Sequence, residues 1–218
     1  MLMGKPERKT LQRADSLITR ERLLASSLRL FSERGYEGTS VRAITDAAGV
    51  NLAAANYHFG SKQQLLQATF QTALAPINAE RIRRLEALVS GGKSAKLTDL
   101  VRAFVEPLFQ SVEHAYLPKL LANLFAEPKE VAVPLLESTF APVVERYIEV
   151  FAQVLPGIAK RELQWRLHFV VGSMLQLAHF RQPLFSASAE GVATSNSAQG
   201  SEAGIEQLVK FTVAGLRQ

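Results

Sequence analysis

The sequence predicts an all-α protein in which a small N-terminal three-helix domain precedes a larger helical domain. Apolar residues recur at spacings of three and four along most of the chain, as at Leu24, Leu28 and Phe31. Capping residues and glycines mark several helix ends in the first third. The 218 residues, 47% of them hydrophobic, are enough for one or two small domains with buried cores.

Composition excludes several classes of protein. The chain has no cysteine, so neither a disulfide nor a thiolate metal site is expected. No apolar run reaches the ~18 residues that a membrane span needs. The N-terminus is basic but lacks the apolar core of a secretion signal. These observations predict a cytoplasmic protein without a membrane partner.

Positive charge is concentrated at the N-terminal end. Residues 1–62 hold ten Lys and Arg against six Asp and Glu, a net charge of +4. Residues 63–218 hold fifteen against fourteen, a net charge of +1. This excess fits an anionic partner such as nucleic acid, or a solvated basic tail, and charge alone does not separate the two.

The first helix follows a polar segment. Residues 1–16 are polar and charged, and we expect them to form a flexible basic arm. Thr19 is a suitable N-cap for a helix, and Glu21 in the first turn favours the helix dipole. Gly35 follows the last apolar residues of this pattern and is expected to end the helix.

Two short helices follow, joined by a tight turn. Thr39 or Ser40 is expected to cap the second helix, Val41–Ala48, and Gly49 to end it. Asn51 is expected to cap a short third helix. This pattern predicts a helix-turn-helix, whose second helix enters the major groove of DNA.

The composition of the third helix fits such a role. Small side chains from Ala53 to Ala55 would let the backbone approach DNA, and their methyl groups can contact thymine methyls. Asn56 can pair with a base edge. Tyr57, His58 and Lys62 suit phosphate oxygens.

A fourth helix would connect the two domains, which we place at residues 17–70 and 71–218. It is expected to begin with a capping box formed by Ser61 and Gln64. Pro76 removes a backbone donor inside this helix and is expected to kink it. The helix is either a transmission element or a bent connector without a signalling role.

The second domain is rich in bulky apolar residues, because nine of the twelve phenylalanines follow residue 100. Some of these residues could line an apolar pocket between helices, but no spacing separates pocket from core. Residues 161–181 predict a long helix that is apolar on more than one side and must be covered. Residues 185–204, rich in Ser, Ala and Gly, are expected to form a flexible loop before a final amphipathic helix.

No catalytic constellation is evident. His168 and His179 would share a helix face but lie three turns apart, too far to share a metal ion. There is no phosphate-binding glycine loop and no nucleophile elbow. We therefore expect no enzyme activity, no cofactor and no metal.

The stretch "TSVRAITDAAGVNLAAANYHFGSKQQLL" resembles the DNA-binding domain of TetR-family transcriptional regulators, over about residues 17–70. Within the family it is most similar to the PsrA-like branch, and "RELQWRLHFVVGSML" is similar to a late helix of that branch. Asn56 stands where many members carry an aromatic residue, so it either reads a base or hydrogen-bonds within the domain. The resemblance, together with the helix caps, gives these candidate DNA-binding residues: Thr39, Ser40, Arg42, Asn51, Ala53, Ala54, Asn56, Tyr57, His58 and Lys62.

The resemblance also implies partners. It implies a homodimer on a palindromic double-stranded DNA operator, formed through the last two helices. It implies a repressor released by a small apolar effector of the fatty-acid or acyl-CoA class. Two alternatives stay open: a DNA-binding protein without an effector, and an apolar-ligand binding protein with a vestigial DNA reader. The candidate effector-binding residues are Phe104, Leu121, Phe125, Phe140, Arg166 and His168.

Overall fold

The computed structural model describes residues 5–91, 95–110, 116–180 and 198–217, and these residues form nine α-helices and no β-strand. The all-α prediction is confirmed. The helices are α1 (Lys5–Arg34), α2 (Val41–Ala48), α3 (Leu52–Phe59), α4 (Lys62–Val89), α5 (Leu97–Gln110), α6 (Leu117–Ala126), α7 (Lys129–Val154), α8 (Lys160–Phe180) and α9 (Ala198–Arg217).

The chain divides into two compact units. The N-terminal unit comprises Met1–Leu74 and Lys119–Leu135, and the C-terminal unit comprises Ala75–Pro118 and Leu136–Gln218. Helix α4 therefore contributes residues to both units. The sequence predicts a second domain of residues 71–218, which includes 119–135. Apolar spacing predicts a helix there but does not show which helices it packs against.

Helix α1 begins earlier than expected. It spans Lys5–Arg34, so Thr19 lies inside the helix, and its hydroxyl donates to the Asp15 carbonyl at 2.8 Å instead of capping a terminus. Residues 5–16, expected to form an arm, are helical as well. These residues contain no glycine and consist mostly of good helix formers, and Pro6 in the first turn is compatible with a helix start.

The core of the N-terminal unit lies between α1, α2 and α3 and the first half of α4. Helix α1 packs against both α2 and α3, and α2 packs against α3. Each helix contributes apolar side chains at helical spacing, which removes them from water. Among the deeply buried side chains are Leu23, Phe31, Ile44, Ala55, Leu65 and Phe70.

Two side chains from the 119–135 segment satisfy backbone groups around the end of α1. The Asn123 side-chain amide donates to the carbonyls of Phe31 and Ser32, both at 3.0 Å. A Glu127 carboxylate oxygen accepts the Tyr36 backbone N–H at 3.0 Å. The Phe31 carbonyl also accepts the Gly35 N–H at 3.0 Å, so Asn123 adds a second donor there and caps the Ser32 carbonyl from a distant part of the chain.

The C-terminal unit is built around α5, whose residues are buried on most sides. Helix α5 packs against α9, and α9 packs against α8. The Tyr147 hydroxyl is buried and donates to the Arg81 carbonyl at 2.9 Å, which joins α7 to the second half of α4. Burial raises the pKa of this phenol, because the charged form would lose its hydration.

Helix α9 begins at Ala198, so residues 198–204 are helical and not part of the loop expected at 185–204. Residues 185–197 lie outside the described residues. A Cβ atom at Gly204 would approach Cδ1 of Leu177, the flexible end of a side chain on α8, to 2.8 Å. Glycine at this position therefore permits close helix packing, whereas in the sequence it indicated a loop.

Candidate nucleic-acid interface

Thr39 and Ser40 prepare the start of α2 in different ways. Ser40 is exposed and is the N-cap, because its hydroxyl oxygen accepts the Ala43 N–H at 3.1 Å. Thr39 is only 1% exposed, and its hydroxyl lies 2.8 Å from the Gly35 carbonyl and 3.1 Å from the Leu30 carbonyl. The structure thus corrects the expectation that Thr39 contacts DNA: its hydroxyl joins the turn to α1.

The turn between α2 and α3 is closed by backbone hydrogen bonds. The Gly49 N–H donates to the Asp46 carbonyl at 3.3 Å, and the Val50 N–H donates to the Thr45 carbonyl at 3.0 Å. This pair of bonds is a Schellman motif, which requires a left-handed residue after the helix. Gly49 has φ 66° and ψ 37°, a conformation that residues with a Cβ atom rarely adopt.

Helix α3 is capped by Asn51, as predicted. The Asn51 side-chain oxygen accepts the Ala54 N–H at 2.8 Å, and Asn51 itself is extended, with φ −84° and ψ 159°. The cap uses the amide oxygen, so only the amide nitrogen is left for a partner outside the domain.

One face of α3 is buried and the opposite face is open. Ala55 and Phe59, four residues apart, are 2% and 8% exposed and attach the helix to the core. Ala53, Asn56 and Tyr57 are exposed on the other side. The Tyr57 ring is 83% exposed, although a large aromatic ring gains free energy on leaving water. The exposed face is therefore suited to an intermolecular contact.

Ala54 and His58 lie between these two faces and are half-buried. The His58 ring centroid lies 5.3 Å from that of Tyr57, in an edge-on arrangement, and 6.0 Å from that of Phe59. His58 thus packs partly against the domain while one side stays accessible. This position is compatible with packing of His58 against the domain and with a contact between His58 and the DNA sugar-phosphate backbone.

Basic side chains flank the open face of α3. Arg42 is exposed on α2. The Lys62 ammonium at the start of α4 lies 4.1 Å from the Tyr36 ring centroid, a cation–π contact that holds the charge beside the domain surface. The Arg20 guanidinium lies 5.5 Å from the Phe59 ring centroid.

Sequence reasoning did not select Tyr36 or Arg20 for this surface. Tyr36 could have been noticed in the sequence, because it is the aromatic residue of the stretch GYEGTS that leads into α2. Burial and the carboxylates of Glu37 and Glu127 raise the pKa of the Tyr36 phenol, so it stays neutral. Arg20 had no such signal, since its contact depends on how α1 crosses α3.

The start of α4 uses Ser61 and Gln64 in a partly different way from the predicted capping box. The Gln64 N–H donates to the Ser61 hydroxyl oxygen at 3.1 Å, and the Ser61 hydroxyl lies 3.2 Å from the Gln64 side-chain oxygen. The Ser61 backbone N–H donates to the Phe59 carbonyl at 2.8 Å. In a capping box the Gln64 side chain would accept the Ser61 backbone N–H. Here that N–H already donates to Phe59, so the Gln64 side-chain oxygen contacts the Ser61 hydroxyl instead.

The six candidate effector residues do not lie together in one unit. Leu121 and Phe125 belong to the N-terminal unit, where Leu121 is buried and Phe125 is 54% exposed. In the C-terminal unit, Phe104 is buried against Tyr147, with ring centroids 4.9 Å apart, and Phe140 is half-buried. The sequence could select these residues by type but not by location.

The two polar candidates have other roles. The Arg166 guanidinium donates to the carbonyls of Gly215 and Leu216 at 3.1 and 2.8 Å, which caps the end of α9, and it also pairs with Glu162. His168 is exposed, and its ring centroid lies 5.9 Å from that of Trp165. Arg166 is thus committed to helix packing, and His168 lies on an open aromatic surface.

The described ranges contain neither a membrane-spanning helix nor a metal-binding cluster. Each helix in them is too short or too polar to span a bilayer. No group of three or more His, Cys, Asp or Glu residues in them is placed to hold a metal ion.

Helices α2 and α3, joined by the hydrogen-bonded turn at Gly49, form a helix-turn-helix motif. Residues 23–69 match the family model described as bacterial regulatory proteins, tetR family, and residues 102–215 match the model described as tetracyclin repressor-like, C-terminal domain. The second match alone covers more than half of the chain. The chain belongs to the TetR family of bacterial regulatory proteins.

Curated relatives match the chain over part of their length. It is 35% identical over 83 residues to the transcriptional regulator CymR of Pseudomonas putida, covering 38% of this chain and 40% of CymR. It is 40% identical over 88 residues to the transcriptional repressor AcnR of Corynebacterium glutamicum, covering 40% and 41%. It is 33% identical over 100 residues to the transcriptional activator FasR of Mycolicibacterium smegmatis, covering 44% and 41%. The matched region thus spans about two fifths of each relative.

Solved structures extend the likeness over most of the chain. NalD of Pseudomonas aeruginosa, described as the secondary repressor of the MexAB-OprM multidrug efflux pump, superposes with a TM-score of 0.64 at 22% identity, covering 92% of this chain and 97% of NalD. PfmR of Thermus thermophilus gives a TM-score of 0.58 at 18% identity, covering 90% and 100%. At these identities the likeness concerns the fold.

Proposed function

We propose that the protein is a homodimeric transcriptional repressor that binds a palindromic double-stranded DNA operator and is released from it by a small apolar effector. The observation that carries the DNA-binding part is the open face of α3. It presents small residues, an amide and a fully accessible tyrosine on a helix held at both ends by caps. Because its partner is DNA, the protein would act in the bacterial cytoplasm.

The proposed contacts follow from where each side chain lies. Ala53, Ala54 and Asn56 meet base edges in the major groove. Arg42 meets a base or a phosphate. The remaining candidates hold the sugar-phosphate backbone, which fixes register without reading sequence: Ser40, Asn51 through its amide nitrogen, Tyr57, His58 and Lys62. Thr39 is left out of this set because its side chain is buried.

The proposed dimer surface is formed by aromatic residues of α8 and α9. Trp165 and Phe169 lie one turn apart on α8, with ring centroids 6.1 Å apart, and they are 56% and 63% exposed. Phe211 of α9 is 65% exposed. Helices α8 and α9 pack together, and exposed aromatic rings on neighbouring helices are typical of an interface. A twofold pairing would place two copies of α3 on successive half-sites of a palindrome.

The effector and the sign of regulation rest on similarity. The resemblance to the PsrA-like branch favours a fatty acid or an acyl thioester. Repression is favoured by the family match to tetracyclin repressor-like domains and by AcnR, whereas FasR is an activator. The proposed mechanism is a population shift, in which the ligand binds better to a conformation whose reading helices do not fit the operator. Helix α4, shared by both units, is the proposed transmission element.

A binding experiment tests this proposal in two stages. Operator sites are selected from random duplex DNA with the purified protein at fixed salt, and the selected site is then titrated with and without long-chain fatty acids and acyl thioesters. We expect one palindromic site and its release by one of the two ligand classes. Selection of a site that no ligand releases would favour the DNA-binding protein without effector. Failure to select any site, together with ligand binding, would favour the vestigial reader.

A further inference from the structure

Arg81 is a buried cation in an apolar environment. The residue lies in the second half of α4 and is only 3% exposed. Its guanidinium carbon lies 4.6 Å from the Phe104 ring centroid, and the Phe104 ring meets Tyr147 edge-on. All three residues belong to the C-terminal unit. A charge in such surroundings is normally paired, because burial removes its hydration.

The protein satisfies the Arg81 guanidinium only in part. Its Nε donates to the Phe104 carbonyl at 2.8 Å, and its Nη1 donates to the Asn78 side-chain oxygen at 3.2 Å. A guanidinium has five N–H groups, so these two bonds leave three. No carboxylate in the described part of the chain forms an ion pair with Arg81. The Arg81 guanidinium therefore has no anionic partner among these residues.

Neither existing bond explains why a charged residue is needed. The Phe104 carbonyl oxygen accepts the Arg81 Nε–H, but a carbonyl oxygen accepts from a neutral donor as well. Asn78 needs one neutral donor for its oxygen, and its amide nitrogen donates to the Thr139 carbonyl at 3.0 Å. A structural role would be filled by a neutral side chain without the cost of burying a charge.

A second unsatisfied group belongs to the same network. The Thr139 hydroxyl is buried and has no hydrogen-bond partner. The Asn78 side chain accepts from Arg81 and donates to the Thr139 backbone carbonyl, so it links the two residues. Buried polar atoms normally find partners, so the unpartnered hydroxyl of the residue that Asn78 contacts points to a missing polar group.

We propose that Arg81, Asn78 and Thr139 form the head-group site for the carboxylate of an apolar ligand. A carboxylate has two oxygens that match the guanidinium fork, and it can accept the remaining N–H groups and the Thr139 hydroxyl. The aromatic rings of Phe104 and Tyr147 suit the adjoining hydrocarbon. The inference rests on the proposed function, and within it selects a free acid over a thioester, whose acyl carbonyl carries no charge.

Matched ligands test the site on the full-length protein. The probes are octanoate, dodecanoate and hexadecanoate, each beside its methyl ester, measured by titration calorimetry at fixed pH and salt. We expect at least one acid to bind the wild type about 30-fold or more tighter than its ester, as for loss of one buried charge-assisted pair. Equal affinity for acid and ester, or no binding of any acid, would overturn the proposal.

Variants locate the preference. Arg81→Met should bind acid and ester equally, and Thr139→Val should lose part of the preference. Arg83→Met, an exposed arginine two residues along α4, should keep the wild-type preference. If Arg81→Met does not fold, Arg81→Lys replaces it and should bind the acid more weakly, since the fork is lost but the charge remains. An acid preference that survives in Arg81→Met, or an acid affinity that Arg81→Lys leaves unchanged, would contradict the assignment.

DNA binding is measured on the same proteins, so that the two proposals fail separately. Arg81→Met should bind the selected operator as the wild type does, but should no longer be released by the acid. If an ester releases the operator as well as the acid does, the head-group site is wrong while the effector-controlled repressor stands. If the acid binds through Arg81 but never releases the operator, the site stands and the release mechanism is wrong.

Discussion

Thr39 and Ser40 are adjacent hydroxyl residues with opposite environments. Ser40 is exposed and caps α2, whereas Thr39 is buried and bonds to carbonyls at the end of α1. Both residue types suit an N-cap and both suit a phosphate contact, so the sequence left them equivalent. The path of the turn from Gly35 decides which hydroxyl faces inward.

Two basic residues should affect DNA binding differently. Lys62→Ala should weaken binding to all DNA sites alike and reduce the salt slope of the affinity by about one, because it removes a phosphate contact. Arg42→Ala should weaken binding as well, and if Arg42 meets a base it should also relax base preference at one position. Salt titrations and site selection with each variant measure these effects. Arg83→Ala, far along α4, serves as the control and should change neither.

Burial lowers the pKa of the Arg81 guanidinium from 12.5 to about 10, so it stays charged at neutral pH. A shift of this size corresponds to a burial cost of roughly 3 kcal/mol. Because Arg81 has no carboxylate partner in the described residues, Arg81→Met leaves no unpaired charge behind. We therefore expect its free energy of unfolding without ligand to stay within about 1 kcal/mol of the wild type or to rise.

Denaturant titration of Arg81→Met measures that free energy, with Arg83→Met as the comparison. A loss of more than about 3 kcal/mol would mean that the wild-type arginine is structurally required. That result would favour a structural role for Arg81 over the head-group site.

At the scale of elements, the turn between α2 and α3 depends on one backbone conformation. Gly49→Ala should destabilise the protein by about 1–2 kcal/mol, because an alanine Cβ is strained at positive φ. The space around Gly49 is open, so the cost comes from the backbone alone. Gly157→Ala is the matched control, since that site is also open and has no positive φ. Equal stability of the two variants would contradict this account.

The cap that Asn123 supplies to α1 gives another prediction at this scale. Asn123→Ala should cost about 1 kcal/mol of unfolding free energy, because the Ser32 carbonyl loses the Asn123 amide donor, whereas the Phe31 carbonyl keeps the Gly35 N–H at 3.0 Å. Denaturant titration of this variant is compared with Lys119→Ala, an exposed position on the same helix. A cost no larger than that of the control would show that water replaces the cap.

At the scale of the whole molecule, the aromatic surface of α8 and α9 should hold a dimer. Phe169→Glu should raise the dimer dissociation constant by at least about 100-fold, because a charge would be buried at the centre of the interface. Analytical ultracentrifugation measures the change, with Leu17→Glu on α1, another exposed apolar residue, as the control. A Phe169→Glu protein that remains dimeric would place the interface elsewhere.

The sequence by itself determined the features that depend on neighbouring residues. Helices α2 and α3, the cap at Asn51 and the turn at Gly49 follow from local backbone chemistry, and all were predictable. For the cap of α2 the sequence left Thr39 and Ser40 as alternatives. The candidate reading face was also predictable, because helical spacing places Ala53 and Tyr57 opposite Phe59. Helix α1 shows the limit of this reasoning, since a polar surface helix and a polar arm have the same composition.

Tertiary structure decided what depends on contacts between distant segments. It placed Asn123 at the end of α1 and set Gly204 against Leu177. It also buried Arg81 where none of the described carboxylates pairs with it. These outcomes depend on how helices pack in three dimensions, and hydrophobic spacing shows which side of a helix is buried but not what covers it. For the same reason the sequence could name apolar residues suited to an effector. Only the fold could show that the buried Thr139 hydroxyl lacks a hydrogen-bond partner.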